Sequence, residues 1–235
     1  MTGTRPLLLI TGIAEGFGAS LARLFAASGH DVLGLSRSEA ASERIGRLVG
    51  EQGGSYAHRS CDITQPEQVA ATLEPDTDRV AVFVHNAHSL VIGTSDDTTL
   101  DEFERAWRIA CFGAMTVAKL VLPAMTARSR GAIIFTGATA SLRAGANFSA
   151  FASAKFALRG LAQSLARECG PKGVHVAHVL IDGLIDEPQT QERFGHSRTI
   201  RIDPDRIAHA YLEIVRQHPS AWTHELDLRP HSETF

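Results

Sequence analysis

Apolar positions follow two rhythms that alternate along the chain. Leu7-Leu8-Leu9-Ile10 is a continuous apolar run, the pattern of a strand buried on both faces. Thr11-Gly12 ends it. Phe17, Leu21, Leu24 and Phe25 then recur at helical spacing, and Ser28-Gly29 stops that helix. Val32 to Leu35 is the next strand. Ile45, Leu48 and Val49 mark a helix ending near Gly53-Gly54, and Tyr56 to His58 is a third strand leading to Cys61-Asp62. Pro66 opens a short helix through Val69 and Leu73, and Val80 to Val84 is a strand. A long helix is predicted from about Leu100 to Met125, with Phe103, Trp107, Cys111, Val117, Leu120 and Val121 inward or at an interface and Pro123 near its end. Ala132 to Phe135 is a strand. Phe148 to Glu168 reads as a second long helix, stopped by Gly170-Pro171, and Val174 to Ile181 as a strand. Residues 183–203 read as an irregular loop. Pro204 opens a helix through Ile207, Ala208, Leu212 and Val215, and Trp222 to Leu228 alternates weakly, as an edge strand would.

Strands alternate with helices from one end to the other, with no linker or repeat between them. This predicts a single α/β domain, doubly wound, with a mostly parallel sheet and helices on both faces. Right-handed crossovers put its ligand crevice at the carboxyl ends of the strands.

The first strand runs directly into Thr11-Gly12-Ile13-Ala14-Glu15-Gly16-Phe17-Gly18, which opens the first helix. Glycine at 12 permits a tight turn, glycine at 16 lets the backbone approach a pyrophosphate, and glycine at 18 allows close helix–sheet packing. The helix N-terminus offers unpaired N–H groups and partial positive charge to phosphates.

The pattern T-G-x-x-x-G-x-G resembles that of the short-chain dehydrogenase/reductase family. Other landmarks follow in order. Asp62 stands where the family places an acid beside the adenine. His85-Asn86-Ala87-His88 stands for N-N-A-G, Phe151-Ala152-Ser153-Ala154-Lys155 for Y-x-x-x-K, and Asp182-Gly183 for the P-G turn. The resemblance covers residues 5–230. It implies a Rossmann-type fold, with a dinucleotide-binding half over about 1–125 and a substrate-side half over about 126–235. The cofactor site expected from it is Gly12, Glu15, Gly16, Phe17, Gly18, Ser36, Arg37, Asp62, Ile63, Asn86, Ala87, Lys155 and Gly183. An acid at the end of the second strand would bind the ribose hydroxyls of NAD and repel a 2′-phosphate. Here Ser36-Arg37 is uncharged and then basic, which favours NADP, with NAD possible.

The same resemblance breaks at the chemistry. The family's proton-donating Tyr falls on Phe151, its substrate-orienting Ser on Ala138 and its water-holding Asn on Ala110; Lys155 remains. Tyr56 and Tyr211 are remote in the chain. The catalytic candidates are Lys155, to hold the nicotinamide ribose; Ser141, to orient substrate; His88, to donate a proton or merely pack; and Asp182, to bring an acid to the crevice. Asn147 either faces the cleft or caps the following helix. The family's Thr that contacts the nicotinamide amide falls near Glu187. Gln189, Gln191, Arg193, Phe194, His196 and Arg198 lie in the loop expected over the substrate. The resemblance implies an NAD(P)-dependent oxidoreductase with a non-standard proton source, moving hydride to or from a small carbonyl, imine or alcohol. A dinucleotide-binding sensor or structural protein without turnover is the alternative. A non-redox enzyme similar to halohydrin dehalogenases fits less well, since those keep the Ser–Tyr pair and lose the glycines.

Composition narrows the partners. The 235 residues carry 23 basic and 26 acidic side chains, a net charge of −3, so no global attraction to nucleic acid or anionic membranes is expected. The continuous apolar runs are too short to span a bilayer, and the first residues do not read as a signal peptide. Cys61, Cys111 and Cys169 are odd in number and widely spaced, as in reduced thiols of a cytoplasmic protein. The 11 histidines show no metal-ligand spacing, so no metal is expected. The two long apolar-faced helices predict a homodimer or homotetramer.

Overall fold

The computed structural model describes residues 5–195 and 200–232. Seven parallel strands form one sheet in the order β3-β2-β1-β4-β5-β6-β7. The strands are β1 (Leu7–Thr11), β2 (Asp31–Ser36), β3 (Tyr56–Ser60), β4 (Val80–His85), β5 (Gly131–Thr136), β6 (Val174–Ile181) and β7 (Glu225–Leu228). Strand order reverses between β1 and β4, and this switch point opens the crevice at their carboxyl ends.

The continuous apolar runs are explained by burial on both faces. Leu7 and Leu9 face one core with Leu33, Leu35, Phe83, Ile133 and Phe135. Leu8 and Ile10 face the other with Val32, Val82, Val84, Ile134 and Val179. Helices α3 (Pro66–Leu73), α5 (Gly113–Ala127) and α6 (Ser149–Cys169) cover the first face. Helices α1 (Phe17–Ala27), α2 (Ser42–Gly50) and α8 (Pro204–Arg216) cover the second. The weakly alternating tail does join the sheet: Glu225 to Leu228 pair with His178 to Ile181. Arg159 of α6 grips Glu225 with two hydrogen bonds of 2.8 Å.

Two expectations change. The long helix begins as predicted, where Thr99 and Glu102 form reciprocal caps. It is α4 (Leu100–Trp107), then a π turn at Arg108–Phe112, then α5, which runs past Pro123 to Ala127. The turn is held from outside, by Arg108 donating to the Thr64 carbonyl at 2.9 Å. By length and composition alone this 28-residue run is apolar enough to cross a membrane, unlike the shorter continuous runs. Its Ala114, Val117, Ala118 and Val121 pack on the sheet. The second change is in 183–203, which carries helix α7 (Pro188–Phe194) and a bridge between Ile185 and Ile202. His196 and Arg198 lie outside the described residues.

Candidate active site

The cleft at the switch point is about 250 Å³ and is lined by Gly12, Glu15, Gly18, Ser36, Arg37, Asp62, Ile63, Asn86, Ala87, His88, Glu187 and Gln189. The first turn packs directly on the end of β4. Gly12 has φ 72°, and a Cβ there would lie 2.5 Å from the Ala87 Cα. Asn86 locks the contact, its amide N–H donating to the Thr11 carbonyl at 3.0 Å and its side chain to the Gly12 carbonyl at 3.4 Å. At the head of α1 the Phe17 N–H donates to the Glu187 carboxylate at 3.2 Å. A negatively charged group thus already sits where the glycine turn was expected to hold phosphate, so the turn fits that role.

At the β2 end of the cleft Arg37 is exposed and forms no ion pair among the described residues. Ser36 donates to the Ser38 carbonyl and lies 2.8 Å from His58 Nε2. Glu15 is paired with Arg44 at 3.1 Å. Asp62 accepts from both the amide and the hydroxyl of Thr64, which fixes its own turn.

Lys155 does not line the cleft; Phe151 connects it to the His88 end. The lysine is 2% exposed and donates to the Thr136 carbonyl at 2.7 Å. Burial pushes its pKa down to about 7. Its Nζ lies 5.7 Å from the ring centre of Phe151, one helical turn earlier, and the rings of Phe151 and His88 are 6.2 Å apart. Three histidines surround this lysine and are held neutral, by desolvation first and the lysine's charge second: His85 at about 3, His88 at about 4 and His178 at about 4. His88 is the exposed member of the three, while His85 and His178 are buried. His88 Nδ1 lies 3.2 Å from the Asn86 carbonyl. A carbonyl only accepts, so Nδ1 carries the hydrogen and Nε2 is left as an acceptor.

Several expected residues do not reach the cleft. Ser141 is fully buried, and its hydroxyl accepts from the Ala138 amide at 3.1 Å, closing its own turn. It cannot orient a substrate from there. Asp182 is also buried, held by the Thr139 hydroxyl and by Arg143 and Arg229 at 3.5 and 3.3 Å. Asn147 is exposed and gives the helix no side-chain cap. Ala110, in the π turn, packs against Ala150 and Ala154 of α6. Gly183 lies beside Pro230 and Ile202, away from the cleft lining.

The site also holds residues that the sequence reading missed. His85 is buried, with Nδ1 2.8 Å from the Thr11 hydroxyl. His178 lies beneath Gly137, and its Nε2 lacks a partner among the described residues. Their signal was a histidine inside an apolar strand run, which marks a polar group the fold must bury. Tyr211 is remote in sequence yet close in space. Its hydroxyl donates to Thr136 Oγ1 at 2.9 Å, on the residue whose carbonyl holds Lys155. Burial raises its pKa and it has no exposed surface, so it supports the site without touching the cleft.

A larger cavity of about 1150 Å³ lies at the opposite, amino end of the sheet and is lined by Arg5, Arg79, Arg128, Arg130 and Arg216. Its arginines are largely spent on structure. Arg128 binds the Asp78 and Val80 carbonyls, and Arg79 pairs with Asp31 and Asp76. Size alone does not make it the reactive site.

A doubly wound parallel sheet with a glycine turn at its switch point defines a dinucleotide-binding α/β domain. The chain belongs to the short chain dehydrogenase family, whose pattern it matches over residues 6–195. It is 29% identical over 218 residues to the 3-oxoacyl-(acyl-carrier-protein) reductase of Vibrio cholerae, covering 86% of each chain. A short-chain dehydrogenase from Rhodopseudomonas palustris is 34% identical, with a TM-score of 0.82 over 96% of this chain and 98% of that one. A metagenomic short-chain oxidoreductase solved in complex with NADP has the same fold, at 23% identity and a TM-score of 0.84 over 98% of this chain and 99% of that one. The protein is an oxidoreductase of this family, and its cofactor is NADP or NAD.

Proposed function

We propose that the chain transfers hydride between NADP(H) and a small carbonyl, imine or alcohol from a site with no phenol in it, and that C=N substrates are handled better than ketones. The observation that carries this is Lys155, buried one helical turn from Phe151 with a pKa near neutrality. When bound, the dinucleotide supplies or takes the hydride. Gly12, Gly16 and Phe17 would hold its phosphates, Arg37 a 2′-phosphate, and Asn86 and Ala87 the wall beside the nicotinamide. Phe151 stands where the family has its tyrosine, and Ala138 where it has its serine. A ketone accepting hydride develops negative charge on oxygen. The Lys155 ammonium stabilises that charge through the field, with no side chain among the described residues placed to donate a proton directly. An iminium ion needs no proton, and the Phe151 face favours its positive charge. Neutral His88 presents Nε2 as an acceptor for the hydroxyl or amine hydrogen of the reduced partner.

The two substrate classes should therefore respond oppositely to pH. As pH rises through about 7, Lys155 loses its charge. Ketone reduction should fall, and reduction of an N-alkylated cyclic iminium, whose charge does not titrate, should rise. Lys155→Met should flatten both profiles. Steady-state NADPH oxidation across this range tests the reading; parallel profiles for the two substrates would overturn it.

The relative from Vibrio cholerae reduces a 3-oxoacyl group, which supports a carbonyl- or imine-sized reacting centre here without fixing the substrate. The protein also forms a dimer or tetramer in this reading. Leu100 is 85% exposed, and Phe103, Trp107 and Phe156 lie partly bare on α4 and α6. An apolar stripe of this kind is best covered by a second copy. Light scattering should show at least twice 25.3 kDa. A single-chain mass at micromolar concentration would contradict it.

A further inference from the structure

Among the described residues, Glu187 is the one whose side chain accepts a hydrogen bond from the head of α1. It lies between β6 and α7, and its Oε2 accepts from the N–H of Phe17, the first residue of α1. Gly16 has φ 82°, and a Cβ added there would come 2.4 Å from the Glu187 Cβ and 2.6 Å from its Oε2. The close approach that glycine permits at this turn is thus used by an acidic side chain of the same chain. Helix α1 has no other side-chain cap and no acid in its first turn. Among the described residues Glu187 has no cationic partner, and burial raises its pKa while the Phe17 N–H opposes that rise. Its carboxylate lines the cleft beside Gly12, Ala14 and Asn86.

We propose that Glu187 sets cofactor affinity, acting as an internal anion that occupies the phosphate seat and must leave before a dinucleotide can sit down. The inference rests on the reading of this cleft as the dinucleotide site. Two anions at one helix N-terminus repel, and a phosphate gains the Phe17 N–H only as the carboxylate gives it up. Affinity is reduced by the stability of the occupied form, as for any ligand whose competent state is a fraction of the population. A carboxylate at a helix N-terminus is worth enough to predict about 3- to 30-fold weaker binding than an uncharged side chain would allow. The effect belongs to the phosphates alone, so a ligand without them is spared.

Calorimetry with NADP, ADP and adenosine on the intact chain tests this. Glu187→Gln and Glu187→Ala should each tighten NADP and ADP by about 3- to 30-fold and leave adenosine unchanged. Glu192→Gln removes an exposed acid of the same helix and should leave all three ligands as in wild type. Equal NADP affinity in wild type and both Glu187 variants would overturn the competition while leaving the dinucleotide site standing. An equal gain in Glu192→Gln would replace it with general charge repulsion. Failure of every protein to bind NADP and ADP would overturn the dinucleotide reading and the competition together.

Discussion

Ketone reduction by the wild-type chain should be slow, and Phe151→Tyr alone should restore only part of it. A missing general acid costs ~10² to 10⁴ in rate. The phenol introduced at 151 would sit one turn from Lys155, in the place of a ring whose centre is 5.7 Å from Nζ. That is close enough for the ammonium to lower the phenol's pKa. The new hydroxyl would still lack a partner, because Ala138 offers none and the nearby Ser141 hydroxyl is turned inward onto the Ala138 amide. A half-buried phenol without a partner is poorly oriented and partly desolvated. Ala138→Ser supplies the partner at a half-buried position. The double variant should exceed the sum of the two singles in log rate, since groups acting as a unit are non-additive. Steady-state NADPH oxidation with a ketone panel, for wild type, both singles and the double, checks this. Wild-type turnover in the common range of ~1 to 10³ per second would show that a proton donor already reaches the substrate oxygen. His88 is then the first position to change.

Arg37→Asp should reverse the cofactor order. Arg37 is exposed beside the end of β2 and forms no ion pair among the described residues, so its guanidinium is available to a 2′-phosphate in the proposed pose. Of the acids in the same cleft, Glu15 is met by Arg44, while Asp62 accepts from Thr64 and Glu187 from the Phe17 N–H. The substitution removes one charge-assisted contact and adds a repulsion, together ~2 to 3 kcal/mol, or about 30- to 150-fold in affinity for NADP(H). The new carboxylate would also accept from the ribose hydroxyls of NAD(H). Calorimetry should show NADP(H) tighter in wild type and NAD(H) tighter in the variant. Equal affinities for the two cofactors in wild type would refute the assignment of Arg37.

Much of the fold is legible in the sequence because local chemistry and global packing agree there. Leu7 to Ile10 is apolar at every position since α-helices cover both faces of β1. The glycine turn is legible as a turn because Gly12 and Gly16 take positive φ, a local need that glycine meets. The tail at 225–228 is half exposed at the sheet edge, so its alternation is weak but still has period two. The features that escaped are those set across long sequence distances. The π turn at 108–112 is tied to Thr64, and α7 forms in a charged stretch with little apolar periodicity. Ser141 carries the right hydroxyl near the right strand, yet the turn after β5 needs that oxygen for a backbone amide. Glu187 reaches Phe17 across 170 residues, which no local pattern encodes. Tyr211 escaped for the same reason, since only the folded sheet brings it to Thr136.

The central claim is that this cleft moves hydride without a phenol. Single-turnover mixing of excess protein with NADPH deuterated at C4, on either face, and a panel of ketones and cyclic iminium ions tests it most directly. The account predicts deuterium at the former C=N carbon from one face of the nicotinamide only, with slower transfer to ketones. Tight binding of NADPH with no deuterium in any product would contradict it, and would leave a dinucleotide-binding protein that does not turn over.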